Sequence, residues 1–183
     1  MSIRAIPQFL HVVVLSFILC LAEGACSQTT STERPLVHNP GFDQKLKRML
    51  SFSVPLIGVG ELNNIKNEVA IFDAREWEEY ETSHIPGARY IGFDRFNPAS
   101  VKDVSKDTPI VVYCSVGYRS EKIGEKLRQL GYRKVFNLYG SIFEWVNQGY
   151  PIVDRLGKPG SRLHTYNKDW SRWVENGRVK KIW

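Results

Sequence analysis

The chain has 183 residues, a length that fits one ordinary domain with extensions and a core of its own. Hydrophobic residues make up 43% of it and charged residues 24%, a balance typical of a globular protein and not of a disordered one. The net charge of +6 includes no basic stripe interleaved with aromatic residues, which argues against nucleic-acid binding and leaves a mild attraction for anionic substrates or an anionic membrane surface.

The first segment has the pattern of an export signal. Arg4 supplies a positive charge, residues 6–22 are almost wholly apolar, and small residues then lead into a polar run. Gln8 and His11 leave about ten uninterrupted apolar residues, fewer than the roughly 18 to 20 of a membrane-spanning helix, although an uncleaved anchor remains the alternative. We expect residues 1–25 to direct export to the periplasm or cell envelope.

The end of that segment resembles the lipobox of bacterial lipoproteins, in which a cysteine is lipidated and becomes the mature N-terminus. The matching residues are Gly24-Ala25-Cys26-Ser27, although Glu23 stands where the pattern has an aliphatic residue. The resemblance implies a lipid anchor on Cys26, with residues 26–40 as a polar linker. Ordinary signal-peptidase cleavage nearby is the alternative, and it would leave Cys26 free or disulfide-paired.

Short apolar runs alternate with helical patterns through the middle of the chain. The predicted strands cover residues 54–59, 69–72, 88–91, 109–113 and 134–138. The predicted helices cover residues 41–52, 75–82, 120–130 and 141–147. This alternation predicts an α/β fold, a mainly parallel five-stranded sheet with helices on both faces.

Two features frame this predicted domain, which we place at residues 41–155. Asp73 and Glu76 have the spacing of a capping box, with Asp73 as the N-cap of the helix that follows. Residues 156–183 contain a short aromatic helix pattern around Trp170 and are predicted to pack against the domain as an arm. A partner-binding site is the alternative for this extension.

Cys114 follows the most apolar predicted strand and precedes a helix. If residues 1–25 are removed and Cys26 is lipidated, Cys114 remains as the free thiol in an oxidising compartment, and an unpaired thiol there suggests chemistry. A helix N-terminus and the charge of Arg119 both favour the thiolate, so we expect a lowered pKa. A buried, inert cysteine is the alternative.

The loop after the cysteine predicts an anion-binding cradle. Its backbone amides can turn inward as a nest, and glycine permits a positive φ within the loop. The hydroxyl of the last residue could act as a hydrogen-bond donor or as a helix N-cap. We expect substrate contacts from the whole loop, namely Ser115, Val116, Gly117, Tyr118, Arg119 and Ser120.

Three motifs in order resemble the rhodanese-like domain. FDAREWEEYETSHIPGARYI is similar to the first signature of that family, VVYCSVGYRS to its active-site strand and loop, and LYGSIFEW to its closing signature. The resemblance implies a rhodanese-like fold and a sulfurtransferase in which Cys114 accepts a sulfane sulfur as a persulfide. It also implies a small-molecule sulfur donor and a thiol or cyanide acceptor, with thiosulfate and cyanide as the assay pair.

The length of the loop bears on the substrate. Four residues separate Cys114 from Arg119, whereas phosphatases and arsenate reductases that resemble this fold have five there. The shorter cradle favours a sulfur atom over a tetrahedral phosphate. Ser115 stands where many members of the family carry a basic residue, which puts thiosulfate as the physiological donor in doubt. A sulfur-carrier or redox-sensing module with little turnover, serving a partner such as a redox protein of the envelope, remains the alternative function.

Three other residues could support the site. Asp73 and Arg75 could act as an acid and an anion clamp, but a cap and a structural ion pair are the favoured interpretation. His84 could act as a base, but its place in a turn favours a structural hydrogen bond. No Cys-x-x-Cys pair or histidine cluster occurs, so we expect no metal, and we expect no cofactor.

Overall fold

The computed structural model describes residues 37–183. The predicted export signal, the proposed lipidation site Cys26 and most of the predicted linker lie outside the described residues. Within residues 37–183, no helix is long and apolar enough to cross a membrane.

A five-stranded parallel sheet forms the centre of the domain, in the order β1-β5-β4-β2-β3. The strands are β1 Leu56–Ile57, β2 Ala70–Asp73, β3 Arg89–Tyr90, β4 Ile110–Tyr113 and β5 Val135–Leu138. All four residues of β4 are buried, because this strand lies between β2 and β5 with packed layers on both faces. The predicted five-stranded α/β fold is confirmed.

Helices cover both faces of this sheet, as predicted. They are α1 Pro40–Met49, α2 Val59–Ile65, α3 Trp77–Thr82, α4 Tyr118–Gln129 and α5 Ser141–Asn147. Side chains of α1, α2 and α5 pack in one apolar cluster with Val111 and Tyr113, whereas α4 packs in a second cluster with Ile110 and Val112. Successive residues of β4 thus enter opposite layers, as the period of two in a strand requires.

The start of α3 differs from the prediction. The N-cap is Glu76, not Asp73, and the Glu76 N–H donates to Oε2 of Glu79, 3.0 Å away. The carboxylate of Asp73 is unable to cap this helix because the side chain and backbone amide of Arg75 bind it in the core. The helix therefore begins one turn later than the predicted capping box would have it.

The C-terminal extension, residues 156–183, folds against the domain. It contains two strands that pair in parallel, β6 Arg162–His164 and β7 Lys180–Ile182, which the sequence did not predict. Leu163 is fully buried, and the ring of Trp173 stacks on that of Phe42 with centroids 5.4 Å apart. The extension is thereby fixed to α1 and to one end of the domain.

Candidate active site

Cys114 lies directly after β4, at the carboxyl end of the sheet. This is the edge where open α/β sheets bind ligands. The residue is only 1% exposed, and its Sγ accepts a hydrogen bond from the N–H of Gly117 with N and Sγ 3.1 Å apart. Gly117 has a φ of +125°, which turns the backbone so that its amide faces the sulfur. Cys114 also lines a cavity of about 310 Å³.

Several groups act on the ionisation of Cys114. Burial is the largest influence and on its own would raise the pKa of the thiol, since it disfavours a charged sulfur. The charge of Arg119, hydrogen bonds from the amides of Ser120 and Gly117, and the Ser120 hydroxyl act in the opposite direction. Together they outweigh burial, so the pKa of Cys114 is lowered and the thiolate is favoured.

Arg119 is held by an acidic partner that the sequence did not reveal. Its Nη1 and Nη2 donate to the two carboxylate oxygens of Glu79 at 2.6 and 2.8 Å, a bidentate pair. The hydroxyl of Ser115 also donates to Glu79, at 2.9 Å. Burial alone would raise the pKa of Glu79, but the hydrogen bonds and charge of Arg119 lower it to about 2. Arg119 therefore faces Cys114 as half of an ion pair, not as a free cation.

Buried polar side chains fix the rest of the loop. Asn137 of β5 donates from Nδ2 to the carbonyl of Gly117 at 3.0 Å and accepts from the hydroxyl of Ser120 at 2.7 Å. Gly117 is the N-cap of α4, so Ser120 lies inside the first turn and the N-cap alternative for Ser120 is wrong. The hydroxyl of Ser120 instead reaches the loop, where it acts as a donor.

The start of α5 binds the backbone of the cysteine. The N–H of Cys114 donates to Oγ of Ser141 at 3.2 Å, and the N–H of Ile142 donates to the carbonyl of Cys114, also at 3.2 Å. Ser141 has a φ of +53°, a left-handed conformation that glycine adopts more readily than serine. Its hydroxyl supplies a contact that a glycine here would lack, and no sequence pattern predicts this contact.

The three predicted supporting residues form structural contacts. Asp73 and Arg75 are both fully buried, and the guanidinium binds the carboxylate with Nη2 and Oδ2 2.7 Å apart. The same nitrogen donates to the carbonyl of Ser83 at 2.6 Å. Nδ1 of His84 lies 3.1 Å from the carbonyl oxygen of Tyr80. Among residues 37–183, no group of three or more His, Cys, Asp or Glu side chains could hold a metal ion.

The loop forms only one side of the cavity. Val116 and Tyr118 contribute to its wall, and Tyr118 is 44% exposed at the mouth. The end of α1 and the C-terminal extension also line it, through Met49, Tyr166 and Trp170. The extension therefore takes part in the site, a contribution that the sequence did not predict.

The fold and the cysteine loop together define a class of protein. A model of the rhodanese-like domain matches residues 59–148, the region from α2 to the end of α5. The chain belongs to the rhodanese-like domain family.

Relatives with assigned names support this assignment. The chain is 30% identical over 80 residues to the thiosulfate sulfurtransferase GlpE of Coxiella burnetii, covering 44% of this chain and 74% of that one. It is 35% identical over 86 residues to a sulfurtransferase of Allochromatium vinosum, covering 47% and 79%. The solved structure of the BH2092 protein of Bacillus halodurans matches with a TM-score of 0.52 at 25% identity, over 65% of this chain and 89% of that one.

Proposed function

We propose that the protein is a sulfurtransferase in which Cys114 accepts a sulfane sulfur as a persulfide and passes it to a nucleophilic acceptor. The proposal rests mainly on the position of Cys114. The residue lines a cavity, and its sulfur accepts a hydrogen bond from the N–H of Gly117. The lowered pKa of Cys114 supplies the nucleophile that the reaction needs. The named sulfurtransferases among the relatives agree with this chemistry.

The reaction proceeds in two displacements. The thiolate of Cys114 attacks the sulfane sulfur of the donor, a new S–S bond forms on Cys114, and the donor's own bond to that sulfur breaks with its electron pair. An acceptor then attacks the outer sulfur of the persulfide, and the thiolate of Cys114 leaves. With thiosulfate and cyanide the products are sulfite and thiocyanate, and the enzyme ends in its starting state.

The loop can stabilise the negative charge of Cys114 both as a thiolate and as a persulfide. The amide of Gly117 binds the sulfur of Cys114, and we assign the amides of Ser115, Val116 and Tyr118 to the outer sulfur of the persulfide. Arg119 lowers the energy of either anion through its charge, while Glu79 and Ser115 hold its guanidinium in place. The four residues between Cys114 and Arg119 favour one added sulfur atom over a tetrahedral phosphate.

A mass measurement tests the proposal. After incubation with a sulfane donor and alkylation, the tryptic peptide of residues 107–119 should gain about 32 Da, the mass of one sulfur atom. The Cys114→Ser variant should gain none, and Ser171→Ala, which alters a hydroxyl of the extension that does not line the cavity, should match the wild type. A wild-type peptide without added sulfur would rule the proposal out.

A sulfur carrier with little turnover is the second candidate. It is favoured by the pairing of Arg119 with Glu79, which leaves the site with a weak attraction for dianionic thiosulfate. The two candidates differ in the second displacement. Rapid thiocyanate formation from the persulfidated protein supports the enzyme, whereas complete persulfidation with negligible thiocyanate formation supports the carrier.

We also propose that residues 1–25 direct export and that Cys26 carries a lipid anchor, although both lie outside the described residues. The pattern of charge, apolar residues and Gly24-Ala25-Cys26 supports this proposal. Membrane fractionation of cells tests it. The wild-type chain should sediment with membranes and Cys26→Ala should not, while unchanged sedimentation of the variant would indicate an uncleaved helix instead.

A further inference from the structure

The cavity at Cys114 is larger than an inorganic sulfur donor requires. Its volume of about 310 Å³ is that of a small-molecule site, and apolar side chains make up most of its wall. Met49, Phe93, Tyr166 and Trp170 face it. Three of these four residues lie outside residues 59–148, the part of the chain that matches the family model. The flanking segments of this chain therefore add an apolar part to a wall that the matched region otherwise supplies.

The charges around the cavity are unfavourable for a dianion. Arg119 lines it, but both ends of its guanidinium are bound by Glu79. Glu76 and Asp94 add two carboxylates to the lining, and Ser115 contributes a neutral hydroxyl. A doubly charged donor entering this space would give up hydration without meeting an unpaired cation among the lining residues. An uncharged or singly charged donor avoids most of that cost.

The aromatic side of the wall is held in a defined position. Tyr166 has a φ of +66°, and its N–H donates to Nδ1 of His164 at 3.1 Å, which fixes the turn that presents its ring. That ring lies over the guanidinium of Arg119, with the centroid 5.4 Å from the guanidinium carbon. The N–H of Trp170 donates to Oδ1 of Asn167 at 3.0 Å. A preformed aromatic surface of this kind binds an apolar body without first having to be ordered.

We propose that the C-terminal extension makes Cys114 selective for organic sulfane donors with an apolar body, in preference to inorganic thiosulfate. This inference rests on the sulfur transfer proposed above. In the first step the thiolate of Cys114 attacks the outer sulfur of an organic persulfide R–S–SH. The bond between the two donor sulfurs breaks, R–S⁻ leaves with the electron pair, and Cys114 keeps the S–SH group. R lies against Tyr166 and Trp170 during this exchange.

Three donors with related chemistry test the inference on the full chain. Thiosulfate is a dianion without an apolar body, methanethiosulfonate is a monoanion with a methyl group, and benzenethiosulfonate is a monoanion with an aromatic ring. Each gives its sulfane sulfur to Cys114 and then to cyanide, with sulfite or a sulfinate as the leaving group. Each kcat/KM is divided by the rate at which a small free thiol reacts with the same donor, which removes differences in leaving-group reactivity.

We expect benzenethiosulfonate to exceed methanethiosulfonate by about tenfold in corrected kcat/KM, and methanethiosulfonate to exceed thiosulfate. Tyr166→Asn removes the ring and keeps a residue that tolerates a positive φ. It should lower the ratio of corrected kcat/KM for benzenethiosulfonate to that for methanethiosulfonate several-fold. Leu156→Ala is the control, since this exposed residue of the extension does not line the cavity, and it should leave the ratio unchanged.

The outcomes separate the two proposals. Equal corrected rates for the three donors, a preference for thiosulfate, or an unchanged ratio in Tyr166→Asn would overturn the selectivity while leaving sulfur transfer intact. Failure of all three donors to persulfidate Cys114 would overturn sulfur transfer itself, and the selectivity with it.

Discussion

The cysteine loop and the C-terminal extension line the same cavity but differ in the contacts that hold them in place. The loop, residues 114–120, is fixed by hydrogen bonds with buried polar side chains: Asn137 donates to it and Ser141 accepts from it. The extension, residues 156–183, is held by the burial of Leu163 and the stacking of Trp173, together with hydrogen bonds to its backbone such as that from Asn147. Polar contacts with defined directions fix the reacting atom, whereas apolar contacts bound the space for the substrate. The loop thus holds the reacting atom, and the extension supplies part of the wall that a substrate meets.

The largest expected effect is a loss of stability when the buried ion pair of Asp73 and Arg75 is broken. Arg75→Met leaves the carboxylate of Asp73 buried without its partner, which should lower the free energy of unfolding by about 3 to 5 kcal/mol. Arg89→Met is the matched control, because Arg89 pairs with Asp103 at the surface and its loss should cost less than about 1 kcal/mol. Urea unfolding measures both. Equal losses of unfolding free energy in the two variants would show that burial does not increase the contribution of the Asp73–Arg75 pair to stability.

The second effect is a dependence of stability on acid. The folded state lowers the pKa of Glu79 from an ordinary 4.5 to about 2. Between these values the unfolded chain binds more protons, so the contribution of Glu79 is fully present above pH 4.5 and is lost as pH falls through about 2. The stability difference between wild type and Glu79→Gln should therefore shrink by about 3 kcal/mol from pH 6 to pH 2. A difference independent of pH would contradict the Arg119 pairing.

The third effect is on the reaction. Removing Arg119 alone would leave Glu79 buried and charged, so the informative variant is Glu79→Gln with Arg119→Met. Persulfide formation should fall about 100-fold, because the cation that favours the thiolate of Cys114 is gone. Glu79→Gln alone keeps that cation and serves as the control, with a loss of only several-fold. A double variant as fast as its control would assign Arg119 a structural role only.

The smallest effect is expected from the apolar contacts of the C-terminal extension. Trp173→Ala removes the stacking contact with Phe42 and should lower the free energy of unfolding by about 2 kcal/mol. Trp183→Ala, which alters a 60% exposed ring near the chain end, should change it by less than about 0.5 kcal/mol. In both variants the pH profile of Cys114 alkylation should stay at the wild-type position. A shifted pH profile in Trp173→Ala would show that the packing of the extension affects the ionisation of Cys114.

Local patterns were sufficient to predict most of the sheet and the position of the cysteine. The unbroken apolar run that ends at Tyr113 indicates a strand buried on both faces, and α5 has the predicted bounds, 141–147. The predicted start of α3 was wrong because Asp73, Glu76 and Glu79 follow each other at intervals of three residues, a spacing that allows two capping boxes. The bonds of Arg75 decide between them, and a pattern of spacings does not contain that information.

The missed parts of the site depend on contacts between distant residues. Glu79 and Arg119 are 40 positions apart, and neither helix pattern shows that their side chains meet. The strands of the extension have three residues each and pair in parallel, so they are too short to give a periodic signal. Their role in the Cys114 cavity follows only from the folded arrangement.

The central claim is that Cys114 takes up sulfane sulfur as a favoured thiolate. The most direct test is the rate at which the peptide of residues 107–119 gains one sulfur, measured by mass spectrometry across a range of pH. We predict that the gain occurs on this peptide alone and reaches half its maximal rate at a lower pH than an ordinary cysteine would, because the pKa of Cys114 is lowered. No gain, or a gain that survives Cys114→Ser, would contradict the claim.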